Sequence, residues 1–314
     1  MIRYIIKRLL WLILVLIGVS LFIFLIMDLC PGDAALTVLG ENAPEKLLEE
    51  FRAQNGLNDP VLIRYGRYML NLLNGNLGVS YVTGRDVMQT FLQRLPNTLL
   101  LAFTGVTLAV AISIPLGVIA ALRRGTILDG TLMVLALLGL SMPLFWLGLI
   151  LIIVFSLDLK WLPSGGSGGI KYLILPAVTL AVSKMAVITR TTRSSMLAVL
   201  NEDYIRTARA KGVSKKEATM KHAMRNALIP IITCIGIELA SSLGGSVLCE
   251  IVFSWPGVGR LIFDSIGKRD IPMITGALIM TTMLVSVMLL IVDIIYAFVD
   301  PRIKAQYQRG AKKK

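Results

Sequence analysis

Histidine is almost missing from this chain: 314 residues hold one, His222. A lone imidazole has no second histidine beside which to hold a metal, so local hydrogen bonding, near Asn226 one turn on, is the expected role. Cysteine is nearly as scarce. Cys30, Cys234 and Cys249 have no metal-type spacing, and an odd count gives no disulfide framework. Cys234 and Cys249 fall on one predicted helix about 22 Å apart, at roughly 1.5 Å per residue, which is too far to bridge. The fourteen methionines read as packing residues rather than a soft-metal path. Charge is scarce too, at 16% of residues, which is too little to cover a soluble surface. No G-x-x-x-x-G-K-[ST] loop is present, since "IGKRD" (266–270) lacks the upstream glycine and the hydroxyl residue. A process driven by ATP would therefore need another chain to bind the nucleotide.

Apolar residues, by contrast, make up 55% of the chain and come in blocks. The run from Leu9 to Met27 carries no charge, and its length matches the roughly 20 residues a helix needs to cross the hydrocarbon core. Similar blocks lie near 98–122, 131–157, 173–189, 227–249 and 277–299, so six spanning helices are expected. The first block is too long for a signal-peptide core, and "DLCPGDAAL" after it offers no convincing small-x-small cleavage site, so it reads as a retained anchor. With the N-terminus inside, the inner segments hold 20 Lys and Arg and the longer outer segments hold 11, which puts both termini in the cytoplasm. That bias also accounts for the net charge of +13, with anionic lipid headgroups as the partner. Aromatics are few and no basic run carries a stacking platform, so nucleic acid is not expected.

The outer segment after the first helix opens on the turn signal "CPGD" (30–33) and is too long for a bare loop. Pro44 and Gly56 bracket one short helix in it, and Pro60 and Gly75 another. Further along, "LPSGGSGGI" (162–170) reads as a flexible outer loop. Its Gly-Ser-Gly cannot pair with His222, which lies on the opposite side, and an intramembrane enzyme lacks any nucleophile and base.

The inner stretch "EDYIRTARAKGVSKKEATMKHAMRNALIP" (202–230) carries seven basic residues. Asn201 is placed to cap a helix on which Ile205, Ala208 and Gly212 recur at helical spacing. Gly212 is the expected stop, and Ser214 with Glu217 forms a capping box for a second helix running towards Pro230. A solvated connector or a helix-turn-helix are the other readings. A docking site explains more, because a small-residue face flanked by Arg206, Arg209 and Lys211 lets a partner approach while charge fixes register.

This stretch resembles the cytoplasmic loop of permease subunits in the peptide and nickel branch of binding-protein-dependent ABC importers. In that superfamily an E-A-A-x-x-x-G pattern forms a coupling helix. Gly212 takes the glycine position, which puts Arg206 at the glutamate and Thr207 and Ala208 at the alanines. A proline expected thirteen residues after the glycine is Arg225, a departure usual within this branch. The likeness runs over essentially the whole chain, through the opening 1–36, "GLNDPVLIRYGRYMLNLLNGNLGVS" (56–80), "SMPLFWLG" (141–148) and "GGSVLCEIVFSWPGVGRLIFDSIGKRDIP" (244–272).

The resemblance implies an all-α polytopic membrane protein with six transmembrane helices in the type I importer permease fold, and a small helical extracytoplasmic insertion. It implies a division into 1–95, a permease core 96–301 with its coupling loop 189–226, and a basic tail 302–314. It further implies import of peptides or nickel chelates across a bacterial or archaeal inner membrane. The partners would be a second, similar permease as a heterodimer, two cytoplasmic ATPases and an extracytoplasmic binding protein. ATP and Mg would sit on the ATPases, leaving this chain without cofactor, metal or catalytic residues.

Tyr204, Arg206, Ala208, Arg209 and Gly212 are the expected ATPase contacts. Glu250, Trp255, Pro256, Gly257, Gly259, Arg269 and Asp270 form the outer motif. It reads equally as a structural turn, with Trp255 at the membrane interface and the glycines giving a sharp bend, or as a surface for the pathway or the binding protein. Arg269 and Asp270 are expected to fix that loop. Within the spans, Lys184, Glu238 and Asp293 are costly at membrane depth and so face protein or water. Lys184 and Glu238 are expected either to approach each other or to line the pathway, and a structural pair that locks the helices together is the other reading. The competing class is an ion-gradient transporter or channel that works alone.

Overall fold

A computed structural model describes residues 2–29, 33–40 and 42–299. Cys30, Pro31 and Gly32 of the expected turn, and the basic tail 302–314, lie outside the described residues. The chain is helical nearly throughout, because in hydrocarbon only a helix or a closed barrel satisfies every backbone polar group internally.

Among the described residues, five helices are long and apolar enough to cross a membrane by themselves. They are α1 (Ile2–Leu29), α5 (Val87–Leu122), α8 (Ile170–Leu200), α11 (Met224–Gly245) with its lead-in, and α14 (Ile271–Val299). The remaining span is divided. The block read as one helix over 131–157 is α6 (Ile127–Ser141) and α7 (Leu144–Leu151), the latter wound on as a π-helix over Ile152–Asp158, with a bend of 97° between the two. The break falls at Met142 and Pro143, where Met142 is extended (ψ 125°). A residue before proline is pushed out of the helical region by the pyrrolidine ring, so "SMP" stops one helix and starts another.

The chain packs as two units. The first contains the chain up to Thr98 together with Pro256–Ser286. After α1 come α2 (Ala34–Leu39), α3 (Glu45–Gln54) and α4 (Val61–Leu73). The Pro and Gly brackets hold: Pro44 and Pro60 stand at the N-caps of α3 and α4, and Gly56 and Gly75 follow them with positive φ. Asp33 caps α2 through the Ala35 amide (2.9 Å) and also accepts from Arg52 Nε of α3 (2.8 Å). α4 lies along α1, with Tyr65 Oη bonded to Ser20 Oγ (2.9 Å), Arg64 paired with Asp28 (2.8 Å), and Phe24 against the rings of Tyr65 and Tyr68.

The sequence division leaves Pro256–Ser286 in the permease core. In the structure its helix α13 (Val258–Gly267) and the start of α14 pack with the N-terminal unit. Asn97 Nδ2 donates to the Pro256 carbonyl (3.0 Å), Thr98 Oγ1 accepts from the Val258 amide (2.8 Å), and Phe91, Val258, Ile262 and Ala277 share one core. None of these partners is close in sequence, which is why composition could not group them.

The second unit is Leu99–Trp255 together with the chain beyond Val287. α6 and α11 both pack against α8. Small residues let the helices approach, as membrane packing requires where burying apolar surface gains little over lipid. A Cβ on Gly105 would stand 2.8 Å from Leu180, and one on Gly236 would stand 2.5 Å from Val292. Many large apolar side chains point outward, among them Leu10 and Phe22 of α1 and Leu135 and Leu138 of α6, as expected for faces turned to lipid or a second subunit.

The Gly-Ser loop is pinned, not flexible. The Gly166 amide donates to the Phe253 carbonyl (2.8 Å), and a Cβ on Gly165 would lie 2.4 Å from that oxygen. Only glycine permits so close a backbone approach. Gly165→Ala should therefore cost about 1–3 kcal/mol through forced backbone movement and lower the unfolding midpoint of the purified protein. Gly18→Ala in α1, where nothing lies within 4 Å of the new Cβ, should leave it unchanged or raise it. Equal midpoints for the two variants would count against the pinned loop.

Candidate functional site

The basic loop between α8 and α11 folds as a short surface helix, a glycine turn and a return helix. α9 (Asp203–Ala210) has one buried residue, Ile205, which is 2% exposed. Ile205 sits in a core with Val118 and Ala121 of α5, Met196 of α8, and Ala223, Ala227 and Ile231 of the return helix. Burying such a side chain is worth about 1.5–3 kcal/mol, enough to hold an eight-residue helix that would not persist alone. Around it Tyr204, Arg206, Thr207 and Arg209 are exposed, with Ala208 half-buried.

The expected stop and restart are in place. Gly212 has φ +87°, in the left-handed region that favours glycine. Ser214 Oγ then accepts from the Glu217 amide (3.2 Å) and opens α10 (Lys215–Glu217), which runs through a π-helical turn, Ala218–Ala223, into α11. The capping box is one-sided, because the Glu217 carboxylate pairs with Lys221 (2.7 Å) instead of reaching back.

Two details differ from the sequence reading. Asn201 caps nothing in α9: it ends α8 and donates to the Leu197 carbonyl (3.0 Å), while Glu202 stands at the α9 N-cap. Asn226 donates to Tyr204 Oη (2.7 Å), which ties α9 to the return helix by a second contact.

Inside the same unit, Lys184 Nζ of α8 lies 3.0 Å from Glu238 Oε2 of α11 and 2.8 Å from Ser241 Oγ. Both side chains are largely buried, at 17% and 14% exposure, so they hold each other at membrane depth where a lone charge is expensive. Asp293 lies on a different helix, α14, directly after Val292, whose side chain stands against Gly236 of α11.

The outer motif divides at Trp255. On one side is α12 (Val247–Val252), with Glu250 buried and accepting from Ser246 Oγ (3.0 Å). Trp255 is 3% exposed, packed with Leu175, Leu180, Cys249 and Phe253, and so is a core residue and not an interfacial anchor. The sharp bend is made by Ser254, with φ +49°. Gly257 is extended and caps α13, and Gly259 is a buried residue within that helix, so neither supplies the turn.

On the other side Arg269, also with positive φ (+51°), leads into Asp270. Asp270 is buried and accepts from Ser80 Oγ and from the Tyr81 amide (3.0 Å), so it fixes the loop after α4 to the start of α14.

Sequence reasoning missed one polar contact of similar weight. Asp129 at the start of α6 receives a two-pronged bond from Arg193 of α8, at 2.6 and 2.7 Å, and a third from the Gly125 amide at 3.0 Å. Thr126 and Asp129 in a T-x-x-D pattern marked the helix start, but nothing local pointed to Arg193 as the partner.

Two family models match the chain, binding-protein-dependent transport system inner membrane component over residues 113–305 and the N-terminal model of the same system's membrane component over 1–102. The oligopeptide transport system permease protein AppB of Bacillus subtilis is 44% identical over 97% of this chain and 100% of its own length. The dipeptide transport system permease protein DppB of Alkalihalophilus pseudofirmus is 39% identical over 97% of this chain and 100% of its own. The glutathione transport system permease protein GsiC of Escherichia coli is 41% identical over 97% and 99%. Among solved structures, a chain of the inward-facing MetNI methionine ABC transporter superposes with a TM-score of 0.58, covering 68% of this chain and 97% of that one. At 22% identity that likeness concerns the fold alone.

Removing one member of a largely buried ion pair strands the other charge and costs about 3–5 kcal/mol. Lys184→Glu and Glu238→Lys should each lower stability or transport, and the double exchange should recover most of the loss. A double-mutant cycle should give a coupling of about 1 kcal/mol or more. Additive losses would sink the pairing.

Proposed function

The chain belongs to the family of inner membrane components of binding-protein-dependent transport systems, and from that membership we propose that it forms half of the membrane pathway of a peptide importer. It is a multi-pass permease subunit of an ABC importer. Oligopeptides, dipeptides and glutathione, the cargoes named for its relatives, are all peptides with free carboxylates. That favours peptide over nickel chelates for this chain.

In this reading a second, similar permease completes the pathway as a heterodimer in the inner membrane. An extracytoplasmic binding protein delivers the cargo, and both termini face the cytoplasm. Two cytoplasmic ATPases hold ATP and Mg, so this chain makes and breaks no bonds. The observation that carries the reading is α9, held from beneath by Ile205 while Tyr204, Arg206 and Arg209 stand exposed above. A helix so anchored can be gripped by a partner without being pulled loose. Because Ile205 touches α5, α8 and the return helix together, movement of α9 as the ATPases close is passed to all three. The Lys184–Glu238 pair offers opposite charges, suited to the two ends of a zwitterionic peptide if it opens onto the pathway.

Reconstitution separates this from a transporter working alone. The full assembly with binding protein should take up peptide only with ATP, and the isolated chain should take up none. Uptake by the isolated chain in an ion gradient would overturn the proposal. For coupling, Gly212→Trp meets nothing within 4 Å at its Cβ, although any side chain there strains the backbone at φ +87°. It should cut uptake tenfold or more while the assembly still inserts and hydrolyses ATP. Gly212→Ala carries the same backbone strain without the bulk. An equal loss in both variants would place the effect in the turn rather than in docking.

A further inference from the structure

A cavity of about 320 Å³ opens within the N-terminal unit, between α1, the end of α3, α4, the loop after α4 and the start of α14. Its size is at the lower end of the range for small-molecule sites, roughly 300–1,000 Å³. Two hydroxyls among its lining residues are buried without a hydrogen-bond partner, Tyr68 Oη of α4 and Thr275 Oγ1 of α14. Thr275 is only 1% exposed. Among the described residues Ser156 and Thr192 of the other unit share this condition, whereas Thr179, Thr281 and Thr282, also on helices, donate to the carbonyl four residues back. A buried polar group left unpaired costs free energy, and such groups need a reason.

The rest of the lining is chemically one-sided. It holds Arg64 and Arg67 but no aspartate or glutamate and no lysine. Arg64 is paired with Asp28 and Arg67 with Asp59, at 2.8 and 2.7 Å. A guanidinium carries five N–H donors, more than one carboxylate oxygen uses, so each can serve a second acceptor. Phe24, Leu57, Leu77 and Ile271 supply an apolar wall. Burial pushes the phenols of Tyr68 and Tyr81 up from their ordinary value, which keeps both as neutral donors.

From this lining we propose that the cavity binds a small amphipathic carboxylate, of amino-acid to dipeptide size, with its carboxylate towards Arg64 and Arg67 and its polar backbone meeting the Tyr68 and Thr275 hydroxyls, which are buried in this structure, once those side chains turn towards it. The site would be separate from the Lys184–Glu238 pair, which belongs to the other unit. It rests on the peptide-importer reading in one respect: peptide in the compartment outside the membrane would reach it only if this unit faces outward.

The test is equilibrium binding of radiolabelled alanyl-leucine to the permease–ATPase assembly in nanodiscs, without binding protein. Both faces are then accessible, so the result does not depend on orientation. Saturable binding is expected, weakened at least tenfold when the dipeptide carboxylate is replaced by an amide. Tyr68→Phe and Thr275→Val should each weaken it by roughly fivefold, about the worth of one neutral hydrogen bond. Neither should lower thermal stability, because each removes a hydroxyl that has no partner. No saturable binding, as from a cavity that holds only water, overturns the proposal, and so does binding that both variants retain at full affinity. Orientation is tested separately by an epitope inserted after the exposed Asn42, read with antibody on intact spheroplasts. A tag hidden there but exposed in inverted vesicles overturns the outward reading and leaves the binding result standing.

Discussion

A backbone N–H or C=O without a partner costs several kcal/mol in hydrocarbon, and the architecture follows from meeting that demand. It explains why the apolar blocks are helices, and also where those helices are interrupted. Pro176 lies within α8 and Pro230 within α11, and each removes one N–H from its ladder. One turn beyond the carbonyl this leaves unserved, Cys249 Sγ adds a donor to the Pro176 carbonyl (3.5 Å) in a fully buried contact. At Pro143 the ladder stops altogether and the chain turns by 97°.

The same demand explains the polar contacts between helices. Lys184 with Glu238 puts charges where water is scarce, and together with Arg193 and Asp129 it joins α8 to its neighbours: the first pair to α11, the second to α6. α8 is thereby fixed on two sides by geometry that apolar packing against lipid would leave loose. Asp270 plays a comparable part in the N-terminal unit, where one carboxylate collects two donors from the loop after α4.

What could be read from the sequence divides along physical lines. The short helices after α1, the Gly212 turn and the Ser214 cap were legible because each depends on backbone preferences of a few neighbouring residues. The approach of Lys184 to Glu238 was legible because burial leaves charges at that depth few alternatives. Trp255 was misread since indole suits an interface and a core alike, and only Leu175, Cys249 and Phe253 around it decide between them. The Gly-Ser loop misled for a similar reason: glycine signals flexibility when nothing is near, and close approach when a carbonyl such as that of Phe253 is. The break in the third span was written in "SMP" but masked by the apolar run on either side. Asn201 could cap either way, and the choice was made by where α8 ends.

The surface helix shows why a departure from a sequence pattern need not disturb a mechanism. Arg206 and Thr207 replace the wider superfamily's glutamate and alanine, yet both side chains are exposed and neither holds α9 to the membrane helices. The residue that does so is Ile205, which the pattern does not mention, with the Tyr204–Asn226 bond beside it. The anchor is therefore Ile205 with Tyr204, and Arg206 and Thr207 lie outside it. A change at Arg206 thus leaves intact the core that Ile205 shares with α5, α8 and the return helix. The root of this eight-residue helix is set by Ile205 and Tyr204, and the side chains that depart from the wider pattern are not part of it.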